Sequence, residues 1–437
     1  MATLAWPLAV GLLSFTVMGV VDTLLMGQVS TGAQAGVGLA TVLTFGALAF
    51  FRGVVTGAQS LVAAAHGANN ADRVTRAGSA GLLLGAVTGV LAAGVLAGLT
   101  AWVLPRVVTD AAIAGPAADY LWVRVFSLPF SLVAFGLMGA LQGLGDTRSR
   151  ARISVVGNGL NVGFDLLLIF GWGPFPRLEA TGAGLATLIS TVAMCALFAL
   201  RFRRLFGRPV APGWPVLRDS LTIGLPAGVS ALLSNSAFVV IGLVLAHVGA
   251  ADLAAHEVVL NIVSVSFLPG HGIGEASGVL VGRYVGAGRP RTAMRALRSG
   301  RGLAVAVMGG FGLLFLLTGD ALAGAFSADP EVARIGGTLL LFAAAFQLFD
   351  AVVMVHLSVL RGVGDTRWTM GVTTLCAWGI TVPSTLALAG WLELGAPGAW
   401  AGLTGEFALL AFLTARRVAG IGDGTVGRAD LLLGEGT

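Results

Sequence analysis

Runs of about 20 apolar residues, the length a helix needs to cross a bilayer, recur from one end of the sequence to the other. Twelve are read, at 4–28, 36–66, 78–104, 117–143, 152–172, 179–200, 218–246, 253–285, 302–324, 333–361, 368–391 and 396–416. Lipid offers the backbone no hydrogen-bond partners, so such runs must satisfy their own N–H and C=O groups, which helices do. The expected fold is therefore an all-α polytopic membrane protein with twelve transmembrane helices. Several runs exceed the bilayer thickness and should tilt or protrude. Charged residues make up only 11% of the chain, where a soluble domain carries roughly a quarter. The 65 glycines fit helices whose backbones pack closely. The first run lacks the short apolar core and small-residue cleavage site of a signal peptide and is kept as a span. Cys195 and Cys376 both fall in spans, which excludes a disulfide framework and a metal-ligand spacing.

A net charge of +5 would suit a nucleic-acid partner if the basic residues were clustered on one face. All 26 are arginines, and 21 of them lie in the loops after spans 2, 4, 6, 8 and 10, at the span ends that border those loops, or in the C-terminal tail. The opposite loops hold Arg106, Arg177 and Arg334. That is the positive-inside bias, which predicts cytoplasmic termini and leaves no charge pattern for nucleic acid.

The sequence also repeats itself. Leu-Gln-Gly-Leu-Gly-Asp-Thr-Arg at 141–148 returns as Leu-Arg-Gly-Val-Gly-Asp-Thr-Arg at 360–367, and the same displacement pairs Pro7 with Pro226, Gly53 with Gly272, Gly67 with Gly286 and Arg76 with Arg295. Each half holds six spans, an even number, so the halves enter the membrane from the same side as parallel repeats about a pseudo-two-fold axis along its normal. The expected organisation is an N-lobe over 1–200, a cytoplasmic linker over 201–217, a C-lobe over 218–416 and a cytoplasmic tail over 417–437. Two such lobes generally hold a substrate cavity between them and rock about it. The Gly-Asp-Thr-Arg turns are expected to act as structural hinges.

Ionisable residues inside spans cost several kcal/mol unless paired or solvated, which makes each a functional candidate. Asp22 aligns with Ile241, Asp165 with Ser384 and Asp350 with Ser131, so the shared scaffold requires none of the three acids. Asp22 and Asp165 lie about 9–10 Å below the outer ends of spans 1 and 5 at 1.5 Å per residue, a depth at which they can share one pocket. Asn158 and Asn161 precede Asp165 by seven and four residues, on the same helical face. Two carboxylates in an apolar pocket repel, which favours a shared proton; the same oxygen-rich group could hold a dehydrated Na⁺ at Asp22, Asn161 and Asp165. The alternative is a hydrogen-bonded clamp between helices. Asp350 is expected near mid-depth of span 10, placed to meet a cationic substrate or a second cation. Glu275 beside His271 suits a structural ion pair as well as a function. Glu257 and Glu406 are placed near helix ends, from which a side chain reaches water. His256 is read as packed on a helix face, and Arg124 as neutralising a buried acid that the sequence does not identify. No Gly-rich run ends in Lys-Ser or Lys-Thr, and the chain has no lysine, so ATP does not drive it directly.

Val-Asp-Thr at 21–23 after Pro7, the doubled Leu-x-Gly-x-Gly-Asp-Thr-Arg, Asn-x-x-Asn-x-x-x-Asp at 158–165, Ala-Ala-His at 254–256 and Phe-Gln-Leu-Phe-Asp at 346–350 together resemble the multidrug and toxic compound extrusion (MATE) family over nearly the whole chain. The resemblance implies a twelve-helix transporter of the bacterial plasma (inner) membrane that exports cationic or amphipathic small molecules, drugs or metabolites, in exchange for H⁺ or Na⁺ by alternating access. It implies no cofactor beyond the coupling ion, no partner but substrate and membrane lipid, and a monomer. The family's N-lobe site carries over to Asp22, Asp165 and Asn161, and its span-10 acid to Asp350. Members with a C-lobe sodium site have a glutamate where this chain has Ser234 and a tyrosine where it has Phe346, a departure that points to the N-lobe and a proton.

A flippase for lipid-linked or polysaccharide precursors, of the same superfamily, is the alternative within transport; it would need several cations in its cavity, and apart from arginines at span ends only Arg52 and Arg124 lie inside spans. An enzyme would need a nucleophile, base or metal grouping, which the sequence does not present.

Overall fold

The structure, a computed structural model, describes residues 18–327 and 329–426. Twelve helices account for nearly all of these residues: α1 Met18–Gly27, α2 Thr31–Gly67, α3 Ala71–Val107, α4 Ala111–Gly143, α5 Thr147–Phe170, α6 Glu179–Phe206, α7 Trp214–Val248, α8 Ala250–Gly286, α9 Pro290–Phe326, α10 Pro330–Gly362, α11 Thr366–Trp391 and α12 Gly395–Ala419. From α2 onward, eleven are long and apolar enough to span a membrane. The start of the first expected span, before Met18, and the tail after residue 426 lie outside the described residues. Large side chains such as Leu317, Leu375, Trp102 and Trp391 stand exposed on the helices, as expected of surfaces whose solvent is lipid.

The helices outlast the apolar runs that announce them. The ninth begins at Pro290 rather than 302, because proline suits the first helical turn and arginine is a good helix former. For the same reason the expected linker is shorter than 201–217: α6 carries Arg203 and Arg204 in its last turn and ends at Gly207, whose φ of 78° breaks the helix. Arginines there also complement the negative end of the helix dipole.

The described residues divide into two compact units, one up to Gly228 and one from Val229. The boundary falls within α7, whose first turns belong to the first unit: Asp219 takes Arg73 at 2.9 Å. Both units use one packing order. In the first, α2 packs on α3 and α4, α3 on α4, α4 on α6 and α5 on α6; in the second, α8 packs on α9 and α10, α9 on α10, α10 on α12 and α11 on α12. The sequence repeat is thus a repeat of contacts. Close approach depends on missing side chains: a Cβ at Gly85 or Gly89 on α3 would lie 2.5 Å from the Leu132 carbonyl oxygen or 2.6 Å from Pro129 Cα on α4.

The Gly-Asp-Thr-Arg turns, expected to act as hinges, are each tied by an ion pair to a neighbouring helix. Gly145 and Gly364 adopt φ of 89° and 80°, a region that favours glycine, and the next residue is tied down in each. Asp146 takes Arg201 Nε at 2.7 Å and Asp365 takes Arg417 Nε at 2.7 Å, so each turn is bolted to the end of its unit's last helix.

Two spans depart from regular α geometry: α3 takes a π turn at Leu99–Val103, and α11 departs further. α11 widens into π turns at Ala377–Thr381 and Thr385–Trp391, on either side of Val382–Ser384. Pro383 lacks the N–H that an α-helical bond would need, and π turns of this kind frequently mark functional sites.

Candidate functional site

In the first unit four helices bring their polar residues to one point. Asp22 on α1 is fully buried. Its Oδ2 accepts from the Tyr120 hydroxyl on α4 and from Thr187 Oγ1 on α6, each at 2.8 Å. Its Oδ1 accepts from Asn161 Nδ2 on α5 at 3.4 Å, and Asn161 also reaches Thr187 Oγ1 at 3.4 Å. Hydrogen bonds to a charged acceptor are the strong ones, and these let a carboxylate sit inside a membrane bundle at all.

Asp165 is equally buried but differently served. Among the described residues no N–H or O–H donates to either of its oxygens, and the charge it faces is that of the Asp22 carboxyl. Two ionised carboxylates would repel by about 4 kcal/mol at 4 Å even with an effective dielectric of 20, more than the roughly 1 kcal/mol a typical hydrogen bond returns. A proton between them turns the repulsion into a hydrogen bond. Asn161 Oδ1 is also buried without a partner, so the donor set, Asp165 with Asn161 Oδ1, fits a small cation as well.

The structure brings Asp22, Asn161 and Asp165 together as the sequence pattern anticipates. Asn158, one turn before Asn161, is half-buried with an unpartnered Oδ1 and donates nothing to Asp22. Tyr120 and Thr187 were not legible as site residues; Tyr120 is one of only two tyrosines, the single hint available. Arg124 finds its acid: its charge acts on Asp22 and its guanidinium lies 5.9 Å from the Tyr120 ring centre. A cavity of about 50 Å³ opens beside this group, lined among others by Asp22, Thr41, Arg52, Arg124 and Phe135. That is room for water, and Arg52 covers one wall by stacking 4.4 Å from the Phe135 ring centre.

In the second unit, Asp350 on α10 is fully buried and neither oxygen has a partner among the described residues. One turn earlier Phe346 stands among Phe267, Trp400 and Phe407, with ring centres 6.1, 6.3 and 4.5 Å away. Trp400 Nε1 donates to His256 Nδ1 at 3.1 Å, the packed histidine anticipated, and Gln347 donates to Ser266 on α8. Glu275 faces the charge of Arg361 on α10, an arginine of the repeated motif where the first half has Gln142; His271 is half-buried nearby in sequence. Glu257 is exposed, as a residue reaching water should be. Glu406 is not: it lies in the middle of α12, 5% exposed, and accepts from Thr381 Oγ1 on α11. Its placement near a helix end is thus corrected: Gly395–Ala419 runs about three turns beyond it on either side, and its carboxyl is turned onto α11 rather than out to water.

Comparison with known proteins is decisive at this point. The MatE family profile matches residues 7–167 and again 226–386, a displacement of 219 residues that is also the displacement from Pro7 to Pro226. The chain belongs to the MatE family. It is 33% identical over 427 residues to the multidrug resistance protein NorM of Burkholderia vietnamiensis, covering 95% of this chain and 92% of that protein. It is 29% identical over 432 residues to the multidrug resistance protein PmpM of Pseudomonas aeruginosa, covering 95% and 90%. A crystal structure of MATE in the bent conformation superposes with a TM-score of 0.89 at 20% identity, over 97% of this chain and 96% of that one. An outward-facing multidrug resistance MATE transporter of the MOP superfamily gives 0.85, over 96% and 95%. The MATE fold is thereby shared across both halves, and this chain is a multi-pass membrane protein of that family.

Proposed function

We propose that this protein is a secondary active multidrug efflux transporter of the plasma membrane, with both termini in the cytoplasm, that exports cationic or amphipathic small molecules against an inward flow of protons by alternating access. The observation that carries the coupling is the Asp22–Asp165 pairing: two buried carboxyls in one polar cluster, each in the field of the other, with no donor for the second. The proton is the simplest guest, because Tyr120, Thr187 and Asn161 already satisfy Asp22 and one shared proton completes the group. Release of that proton leaves Asp165 as an unpartnered carboxylate, a state that persists only with water or a cation beside it. The drive available is about 1.4 kcal/mol per proton for each unit of pH difference and about 2.3 kcal/mol per charge for each 100 mV.

Dye efflux from inverted vesicles, energised separately by a pH gradient and by a Na⁺ gradient, tests this reading. Asp22→Asn and Asp165→Asn should each abolish ΔpH-driven efflux, and the double variant should be little worse, because the two act as one unit. Efflux driven by Na⁺ alone would assign the site to Na⁺ instead. A double variant still concentrating dye in response to ΔpH would move the proton elsewhere.

A further inference from the structure

Glu406 is a buried membrane acid that the Asp22–Asp165 reading does not use. It sits mid-way along α12, and Thr381 Oγ1 of α11 donates to its Oε2. Thr381 and Thr385 are each 1% exposed, and the Thr385 hydroxyl has no partner among the described residues. Ser384 faces α12 one turn from Glu406, where a Cβ on Gly402 would meet its side chain. The carboxyl therefore looks onto a hydroxyl-lined stretch of α11, and it is the stretch where that helix opens into π turns.

The two units treat this helix pair in opposite ways. In the first, α5 carries the acid, Asp165, and α6 the hydroxyls Thr187 and Ser190; in the second, α11 carries the hydroxyls and α12 the acid. Acid and hydroxyl have exchanged helices while the pair's packing is kept. Among the described residues no cation forms an ion pair with Glu406. The titratable groups on helices packed against α12 are otherwise engaged or of no help: His256 takes Trp400, His356 on α10 takes Thr414 at 3.1 Å, Asp365 takes Arg417, Asp350 is another acid, and Cys376 on α11 is a thiol lying in the field of Glu406. A carboxylate left ionised there would be a buried charge with a single neutral donor, which is costly in a membrane bundle.

We propose that Glu406, held by Thr381, is a second proton-binding site, belonging to the second unit and independent of the Asp22–Asp165 pair. The carboxylate takes one proton on the oxygen that Thr381 does not occupy and returns it as a carboxylate; no other bond changes. The inference does not rest on the pair being the coupling site.

The test counts protons. Purified full-length protein in weak buffer is stepped from alkaline to mildly acidic pH, and Glu406→Gln should take up about one proton fewer than the parent, since one carboxyl binds one proton. The glutamine keeps an oxygen for Thr381, so elution volume and helical circular dichroism should not change. The same difference should appear when Glu406→Gln is made in the Asp22→Asn/Asp165→Asn background, whereas failure of the proposed function would alter only the contribution of that pair. Should Glu406→Gln not fold, a hydrophobic carbodiimide, which attacks protonated carboxyls, should modify the Glu406 peptide of the parent in acid and spare it in alkali. Equal proton uptake with and without Glu406, or a Glu406 peptide unmodified at every pH, would overturn the proposal.

Discussion

The Tyr120 hydroxyl donates to Asp22 Oδ2 at 2.8 Å, joining α4 to α1 across 98 residues of sequence. Under the proposed proton coupling, a hydroxyl donating to this oxygen favours the ionised acid, the state in which the site has given up its proton. A hydrogen bond to a charged group contributes about 1.5–3 kcal/mol. Tyr120→Phe should therefore leave a folded protein whose proton-driven efflux falls at neutral pH by roughly tenfold or more and recovers in part as the pH rises, when the ionised form is restored by mass action. A loss independent of pH would mean that Tyr120 serves packing alone.

Thr187 has one hydroxyl hydrogen and two acceptors, Asp22 Oδ2 at 2.8 Å and the Ala183 carbonyl of its own helix at 3.1 Å. The charged acceptor wins while Asp22 is ionised, and the carbonyl is available when it is not. Thr187→Ser keeps that choice and Thr187→Val removes it without changing volume much. Efflux should survive the first substitution and fall in the second, and equal activities would show that the hydroxyl does not take part.

What the sequence disclosed and what it withheld follow from range. Asn161 and Asp165 stand four residues apart on one helix, so their common face is written in the local pattern. Tyr120 and Thr187 reach Asp22 from 98 and 165 residues away, and a lone hydroxyl in an apolar run carries no periodic signal. The repeat was legible because its landmarks are backbone requirements: Gly145 and Gly364 need positive φ, and Asp146 and Asp365 each hold an arginine. What those arginines would be was hidden, since α6 and α12 had to be folded back before Arg201 and Arg417 could be seen at the turns. Glu406 was misjudged for a related reason: its neighbour Thr381 lies on another helix, in a π stretch that no hydrophobic period announces.

The two turn clamps should not be equal in strength. Asp146 also accepts from Ser149 N at 3.3 Å and so caps α5, whereas Asp365 makes no side-chain cap on α11. Both ion pairs are partly exposed and each contributes no more than about 1 kcal/mol, while a lost cap adds roughly 0.5–2 kcal/mol. Asp146→Ala should lower the apparent unfolding temperature in detergent more than Asp365→Ala does. The reverse order would show that the cap is immaterial.

The close approach of α3 and α4 predicts a sharp contrast among glycines of one helix. Gly85→Ala places a methyl 2.5 Å from the Leu132 carbonyl oxygen, while a Cβ at Gly94 meets nothing within 4 Å. Backbone cannot yield as a flexible side chain can, so Gly85→Ala should reduce the yield of monodisperse protein from membranes. Gly94→Ala should leave it unchanged or raise it, since alanine favours helix by up to about 1 kcal/mol over glycine. Equal yields for both would mean that the helices can separate at no cost.

Asp350 sets stability against function most directly. Its carboxyl is fully buried on α10 with neither oxygen partnered, a position that packing does not reward and that the first half fills with Ser131. Under the proposed function, the expectation for an acid kept there at such a cost is that it meets a cation during transport, whether substrate or ion. Asp350→Asn removes the charge and keeps the shape, so the resting protein should unfold at an equal or higher temperature than the parent. The same variant should export cationic dyes less well than neutral ones. A fall in stability would mean that the carboxylate has partners holding α10 in place, and equal losses for cationic and neutral dyes would remove Asp350 from substrate recognition and leave it only a role in the conformational cycle.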